Sequence, residues 1–253
     1  MANRSAVSSN RSATSSRRYS VMDYPNSLEF NGTSDDVVCD GNEVSNGSST
    51  WTMQAVFKLS AATPVDYIYV EGNSGDNNPF TGIAVHTSGV LRGLISNDIA
   101  VILSKTSSVV VTDNKWHDAI FVRNGNTVDL YLDGVDLGSA TDGSFGDNPV
   151  TTNTTTIGAL QRIAESNHFK GGVALARSWS VALTNTEALG LQIDGAVPQP
   201  ASIVKEYLFA DGAGGTLTDT GSGGNNGTIN GATWNTTTIS SNRSAVGTNR
   251  TSV

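Results

Sequence analysis

The sequence predicts an all-β fold: a two-sheet antiparallel sandwich with one short surface helix and an extended arm at each end. Three observations carry this. Thr, Ser, Asn and Gly dominate the polar positions, with 27 Gly against 6 Pro and only 15% charged residues. A chain so short of Glu and Lys lacks the good helix formers and favours strands and turns. Short apolar runs of period two, each closed by turn residues, recur from about residue 27 onward. The flanking segments have few bulky apolar residues and cannot build a core of their own. The expected division is an N-terminal arm over 1–24, a sandwich over 25–239 and a C-terminal arm over 240–253. At 253 residues the chain is long enough for one large sandwich with a full core.

The expected strands begin with "SLEF", "DDVVC", "WTMQAVFKL", "VDYIYVEG" and "FTGIAVHT", followed by "VLRGLIS", "IAVILS" and "SVVVT". The stretch "WHDAIFVRNGNTVDLYLDGVDLG" reads as a meander. Ala119, Phe121 and Arg123 alternate with Ile120 and Val122, and Asn124-Gly125 offers a two-residue reversal because both tolerate positive φ. Val128, Leu130 and Leu132 alternate with Asp129, Tyr131 and Asp133 before a second turn at Asp133-Gly134. One segment, "LTNTEALGLQI", reads as a helix over about 184–193, because Thr184 and Glu187 form a capping box. Residues 195–202, with Pro198 and Pro200, read as a connector. "IVKEYLF" is a further strand, "DGAGGTLTDTGSGGNNG" a glycine-rich loop, and "GTINGATW" the last strand of the body.

Charge is unevenly spread. Residues 1–20 carry four Arg and no acid, and 241–253 carry two Arg and no acid. The middle therefore holds nine Lys and Arg against twenty-three Asp and Glu, a net of −14 by difference. Such a body will not bind nucleic acid across its surface. No apolar run is long enough to span a bilayer, and no apolar stretch follows the early arginines, so neither a membrane partner nor a secretory signal is expected. The lone Cys39 reads as a small buried strand residue.

The ordered series "LEFNGTSDDV", "WTMQAVFKL", "KWHDAIFVRNGNTVDLYLDGV", "TTIGA" and "FKGGVALARSWSVALTNTEA" resembles the laminin-G-like jelly roll of the concanavalin A-like lectin/glucanase superfamily, over about residues 27–194. The later "VKEYLFADGAGGTLTDTGSGGNNGTINGATW" is similar to a second piece of such proteins and extends the likeness to about residue 235. The resemblance implies two antiparallel sheets packed face to face, one of them concave. It leaves function open, because the sandwich serves enzymes, lectins, adhesion modules and viral surface proteins. The opening "ANRSA" resembles those of bacteriophage structural proteins.

Catalytic patterns are missing. The glucanases of the superfamily use two glutamates on one strand, whereas the six Glu here, at 29, 43, 71, 165, 187 and 206, are never close in sequence. There is no Gly-x-Ser-x-Gly turn and no His-x-x-x-His or paired-cysteine pattern, and His86, His117 and His168 are scattered. The chain reads as a non-enzyme. Relatives that bind calcium do so through rim loops. The best counterpart is "DTGSGGNNG", where Asp219, Asn225 and Asn226 could offer side-chain oxygens to Ca2+; the bland alternative is a turn that needs its glycines. Asp35, Asp36 and Asp40 read as a solvated strand edge. For glycan contact the candidates are Tyr67 and Tyr69, which alternate with apolar residues, and Asp76 and Asn77 of the loop "EGNSGDNNPF". Trp51, Trp116, Trp179 and Trp234 sit in apolar patterns and read as core.

The two ends repeat a phrase, "NRSAVSSNRS" from Asn3 and "NRSAVGTNRT" from Asn242. Indifferent linker has no need of such a repeat. Arg4, Arg11, Arg243 and Arg250 can make charge-assisted bonds to an acidic neighbour. The expected function is a virion structural protein, a capsid decoration or head-fibre subunit displayed on the virion surface. Its arms would join it to other copies of itself and to a capsid or tail protein. The alternative is a carbohydrate-binding module for host attachment.

Overall fold

The computed structural model describes residues 23–61, 65–97, 102–143, 145, 150–237 and 239–240. The strands in chain order are β1 (Asp23–Tyr24), β2 (Ser27–Asn31), β3 (Asp36–Val38), β4 (Thr50–Lys58), β5 (Val65–Gly72) and β6 (Phe80–His86). Next come β7 (Val90–Ser96), β8 (Ile102–Val110), β9 (Trp116–Asn124), β10 (Thr127–Leu132), β11 (Val135–Thr141) and β12 (Thr154–Ile157). The last are β13 (Lys170–Trp179), β14 (Ile203–Tyr207), β15 (Thr216–Leu217), β16 (Gly227–Asn230), β17 (Thr233–Asn235) and β18 (Ile239–Ser240). Helix α1 spans Asn185–Asp194.

Two eight-stranded sheets result. Sheet I runs β11-β10-β9-β4-β13-β2-β17, with β14 beside the second half of β13. Sheet II runs β15-β16-β3-β12-β5-β6-β7-β8. The strand pairs are antiparallel, as the period-two patterns require. Between the sheets lies one main core, with Trp51, Phe57, Phe121 and Val173 from sheet I facing Ile68, Tyr69, Ile83 and Ile95 from sheet II. Trp51 meets Phe121 edge to face, with ring centroids 5.4 Å apart.

The meander forms with its first turn one residue later than expected. Asn124 pairs with Thr127, so the reversal falls at Gly125-Asn126, and Gly125 takes the positive φ of 64°. Asp133 and Gly134 both have positive φ, 51° and 80°, as a tight hairpin demands. The capping box is present in full, and Gly195 closes α1 in the left-handed region. "IAVILS" and "SVVVT" do not form two strands. Residues Ile102–Val110 form the single edge strand β8 instead, which runs through the intervening Lys105 and Thr106, while Val111 and Thr112 follow it. "GTINGATW" is split instead: β16 lies in sheet II and β17 in sheet I, with Gly231 turning the chain between them.

Trp51 and Trp179 are buried as expected. Trp116 and Trp234 are only half-buried, Trp116 packing on a separate small cluster of Tyr24, Val56, Ala174 and Leu175 and Trp234 against the main core. Lys58 stands over the Trp116 ring, and the Trp234 indole donates to Gly214 O. Asp35 and Asp36 are buried rather than solvated; Asp35 accepts the backbone and side-chain N–H groups of Asn31. Cys39 is buried, and burial pushes its thiol pKa up to about 12.

Candidate functional site

Sheet II turns a second apolar cluster away from the core, built from Tyr67, Val70, Phe80, Ala84, Leu94 and Leu160. A bulge makes it. The β5–β6 register shifts between Tyr67 and Tyr69, so Ile68 and Tyr69 both enter the core, while Tyr67 and Val70 face outward. Simple alternation would have put both tyrosines outside. Tyr69 is therefore fully buried and is not placed for glycan contact, whereas Tyr67 lies on the outer face, 7% exposed. The Tyr67 and Phe80 rings meet edge to face at 5.9 Å.

Two loops border this face. In the first, Asn73 accepts from Gly75 N and Asp76 accepts from Asn78 N, each closing a small side-chain turn. Asp76 thus shapes the loop, while Asn77 is exposed at its tip. The second loop, over about 158–168, lies against β5, where a Cβ on Gly72 would sit 2.2 Å from Gln161 O. Glycine is required there because the loop backbone occupies the side-chain position. Arg162 ties the loops together: Nη1 donates to Asn77 O at 2.8 Å and the guanidinium stands 5.6 Å from the centroid of Phe80. Ile163, beside it, is 60% exposed. From β7, Arg92 points to the same face and donates to Ser104 Oγ at 3.0 Å.

The calcium candidates occupy a different region. Asp219 Oδ1 accepts from Glu206 N and Gly221 N at 2.8 Å each, and Oδ2 accepts from Asn225 N at 2.9 Å. Asn226 Oδ1 accepts from Asp219 N. The Asp219 carboxylate thus organises the glycine turn, with both oxygens committed to backbone donors. Among the described residues, no group of three or more His, Cys, Asp or Glu is arranged to hold a metal ion. Nearby, the ammonium of Lys205, wholly buried, donates to Cys39 O and Glu43 Oε1 and contacts Thr155 Oγ1. Glu71 is held by Val44 N, Ser45 N and Ser45 Oγ. Burial raises the Glu71 pKa, with Lys205 and Ser45 opposing.

The site therefore joins Tyr67 and Asn77 of the expected set to three residues the patterns did not single out: Phe80, Arg92 and Arg162. Arg92 left a signal. In "VLRGLIS" it shares the outward phase with Leu94 and Ser96, a guanidinium on a face otherwise apolar or neutral. Arg162 left none, since only the loop's path over β5 brings it to Phe80. Arg4, Arg11, Arg243 and Arg250 lie outside the described residues.

Two antiparallel sheets around one core, with a helix on one outer face and a loop-bordered cluster on the other, define a lectin-type jelly roll. The chain belongs to the laminin-G branch of the concanavalin A-like lectin/glucanases superfamily, whose family model matches residues 31–188. No curated protein sequence matches significantly. Among solved structures, the chain is similar to a candidate carbohydrate-binding protein from Bacteroides ovatus. The TM-score is 0.63 at 17% identity, over 87% of this chain and 63% of that one. It is also similar to the CBM40 module of the Ruminococcus gnavus IT-sialidase, solved with α2,3-sialyllactose. Here the TM-score is 0.55 at 12% identity, over 66% of this chain and 97% of that one. A third is the heptameric SAP-like pentraxin of Limulus polyphemus, with TM-score 0.52 at 14% identity, over 67% of this chain and 82% of that one. Identities this low show a shared fold.

Proposed function

We propose that the chain is a non-enzymatic carbohydrate-binding module that holds a glycan on the outer face of sheet II. One observation carries the reading: two polar loops, tied by Arg162 to Asn77 O, border an outward cluster that includes the Tyr67–Phe80 pair. Sugar recognition needs apolar surface beside fixed hydrogen-bonding groups, and here the buried Tyr67 and Phe80 rings form the floor while Ile163 supplies the open apolar surface. The likeness to the carbohydrate-binding structures from Bacteroides ovatus and Ruminococcus gnavus supports it.

A second reading concerns assembly. β1 pairs with β18, Tyr24 opposite Ile239, so the two strands next to the basic segments in sequence lie side by side. In that reading the arms clasp another copy of this chain or a capsid or tail protein, and the sandwich is displayed on a particle such as a virion. One experiment separates the two: a glycan panel and native mass, both measured on the full chain and on residues 23–240. Saturable glycan binding by both, at unchanged mass, supports the module. Large particles that need the ends, with no glycan bound, would replace it with the assembly role.

A further inference from the structure

We propose that the outer face of sheet II recognises an acidic glycan, through a carboxylate or sulfate held between Arg92 and Arg162. The proposal rests on the carbohydrate-binding reading and narrows it to a ligand class.

The described residues include four arginines. Arg177 is paired with Glu206 through Nε at 2.8 Å and Nη2 at 2.7 Å. Arg123 donates to the carbonyls of Gly125 and Ser48. Arg92 and Arg162 differ. Neither has a carboxylate within 4.0 Å among the described residues, and the Nε of each is buried without a hydrogen-bond partner. A guanidinium with an unmet buried N–H is poorly compensated, and an anion on its terminal N–H groups offsets its charge where a neutral hydroxyl does so only weakly. The whole chain carries 23 acidic residues against 15 basic, so two arginines without acidic partners on one face are a local inversion of its charge.

The placement suits one ligand. Tyr67 pairs with Ala84, Ala84 with Arg92, and Arg92 with Thr106, which sets these residues in one row across four strands. Tyr67 and Arg92 stand about 10 Å apart across two strand spacings. Ala84, between them in the row, leaves the floor low. Arg162 descends from the loop over Phe80, whose ring adjoins Tyr67. Both guanidiniums act on the Tyr67 phenol: burial raises its pKa, and Arg162 and Arg92 pull it back. Each guanidinium is anchored by one terminal nitrogen, Arg92 to Ser104 and Arg162 to Asn77 O, so its fork is held in place with donors left over. A planar carboxylate or a sulfate fits such donors, with the sugar ring against the exposed Ile163 and reaching only the rim of Tyr67.

The test is calorimetric titration of the full chain with lactose, 3′-sialyllactose and 3′-sulfolactose, alongside a broad array of neutral and acidic glycans. The expected result is that at least one acidic class binds ten-fold or more tightly than its neutral parent, and that added salt weakens it. The sialyl and sulfo arms tell carboxylate from sulfate. Arg92→Met and Arg162→Met should each lower affinity about ten-fold or more. Melting curves establish that they fold, and Arg92→Lys and Arg162→Lys, which keep charge but lose the fork, should weaken binding if the methionine variants do not fold. Neutral glycans binding equally well, with the arginine variants unaffected, would overturn the acidic preference and leave the carbohydrate reading standing. Binding of no glycan on the array would overturn both. Inorganic sulfate binding as tightly as any acidic glycan would reduce the site to an anion pocket and overturn the proposal.

Discussion

The two outer faces of this sandwich both carry arginine, and they treat it differently. On sheet I, Arg177 lies over Trp179, grips Glu206 and donates to Gln54 Oε1, while Gln54 passes a bond to Asp118. Gln192 of α1 completes the chain by bonding Asp118 O and Gly134 N. The face is then covered: Ala188 and Leu191 of α1 pack with Ile120, Val122, Trp179 and Ile203. On sheet II, Arg92 and Arg162 hold one neutral partner each and keep a buried N–H unmet. The first arrangement is closed, because Nε, Nη1 and Nη2 of Arg177 each have an acceptor inside the protein. The second keeps strong donors unmet, which is what the proposed binding role would use.

Breaking the closed face should have the largest effect. Arg177→Met takes the shared donor from Gln54, which is buried, and from Glu206 Oε1, leaving that carboxylate only Thr220 Oγ1 on its other oxygen. Removing one partner of a buried pair costs about 3–5 kcal/mol. Urea unfolding measures it. A loss under about 1 kcal/mol would show that the network is idle and the contrast between the faces false.

A smaller effect attaches to His117, at the start of β9. Its Nδ1 lies 2.7 Å from Asp133 and its Nε2 3.0 Å from Asp113. Burial alone would depress the imidazole, but the bonds and charges of Asp133 and Asp113 outweigh it and raise the pKa. A raised pKa favours the folded protonated form. That contribution is full below the unfolded value of about 6.5 and disappears as pH climbs through the folded value. Asp113 behaves oppositely. Its slight burial is outweighed by Lys115 and His117, its pKa is lowered, and its contribution is lost as pH falls through that lowered value. Stability should therefore decline from pH 6 to pH 8.5, and His117→Gln should flatten the slope. Equal slopes in the two proteins would dismiss the double clasp.

The contrast between the faces also explains what was legible in the sequence. The period-two runs of β4, β9 and β10, the Asp133-Gly134 turn and the capping box of Thr184 and Glu187 are local signals, and each produced the element expected of it. Tyr69 was misplaced because a bulge changes phase without changing composition. The strand "GTINGATW" divides between sheets because sheet membership is set by partners far along the chain, β3 for β16 and β2 for β17. The site was read in part for the same reason. Tyr67 and Asn77 belong to runs with a visible pattern, whereas Arg162 joins them only through a loop that crosses Gly72. The carboxylate of Asp219 and the side-chain oxygen of Asn226 face backbone N–H groups, because the glycine-rich loop folds the chain back on itself.

The smallest effect is the one that most sharpens the comparison. If Arg92 serves a ligand and not the fold, Arg92→Met should leave stability within about 0.5 kcal/mol of the natural chain, since one bond to Ser104 is exchanged for relief of an unmet buried N–H. Arg162→Met loses its bond to Asn77 O and its contact with Phe80, so it should cost no more than about 1 kcal/mol. Both values come from the same urea titration as Arg177→Met, which supplies the scale. A loss above about 2 kcal/mol for Arg92→Met would mean that its guanidinium holds sheet II together. The two faces would then be alike, and the unmet Nε atoms would no longer distinguish a binding surface from a structural one.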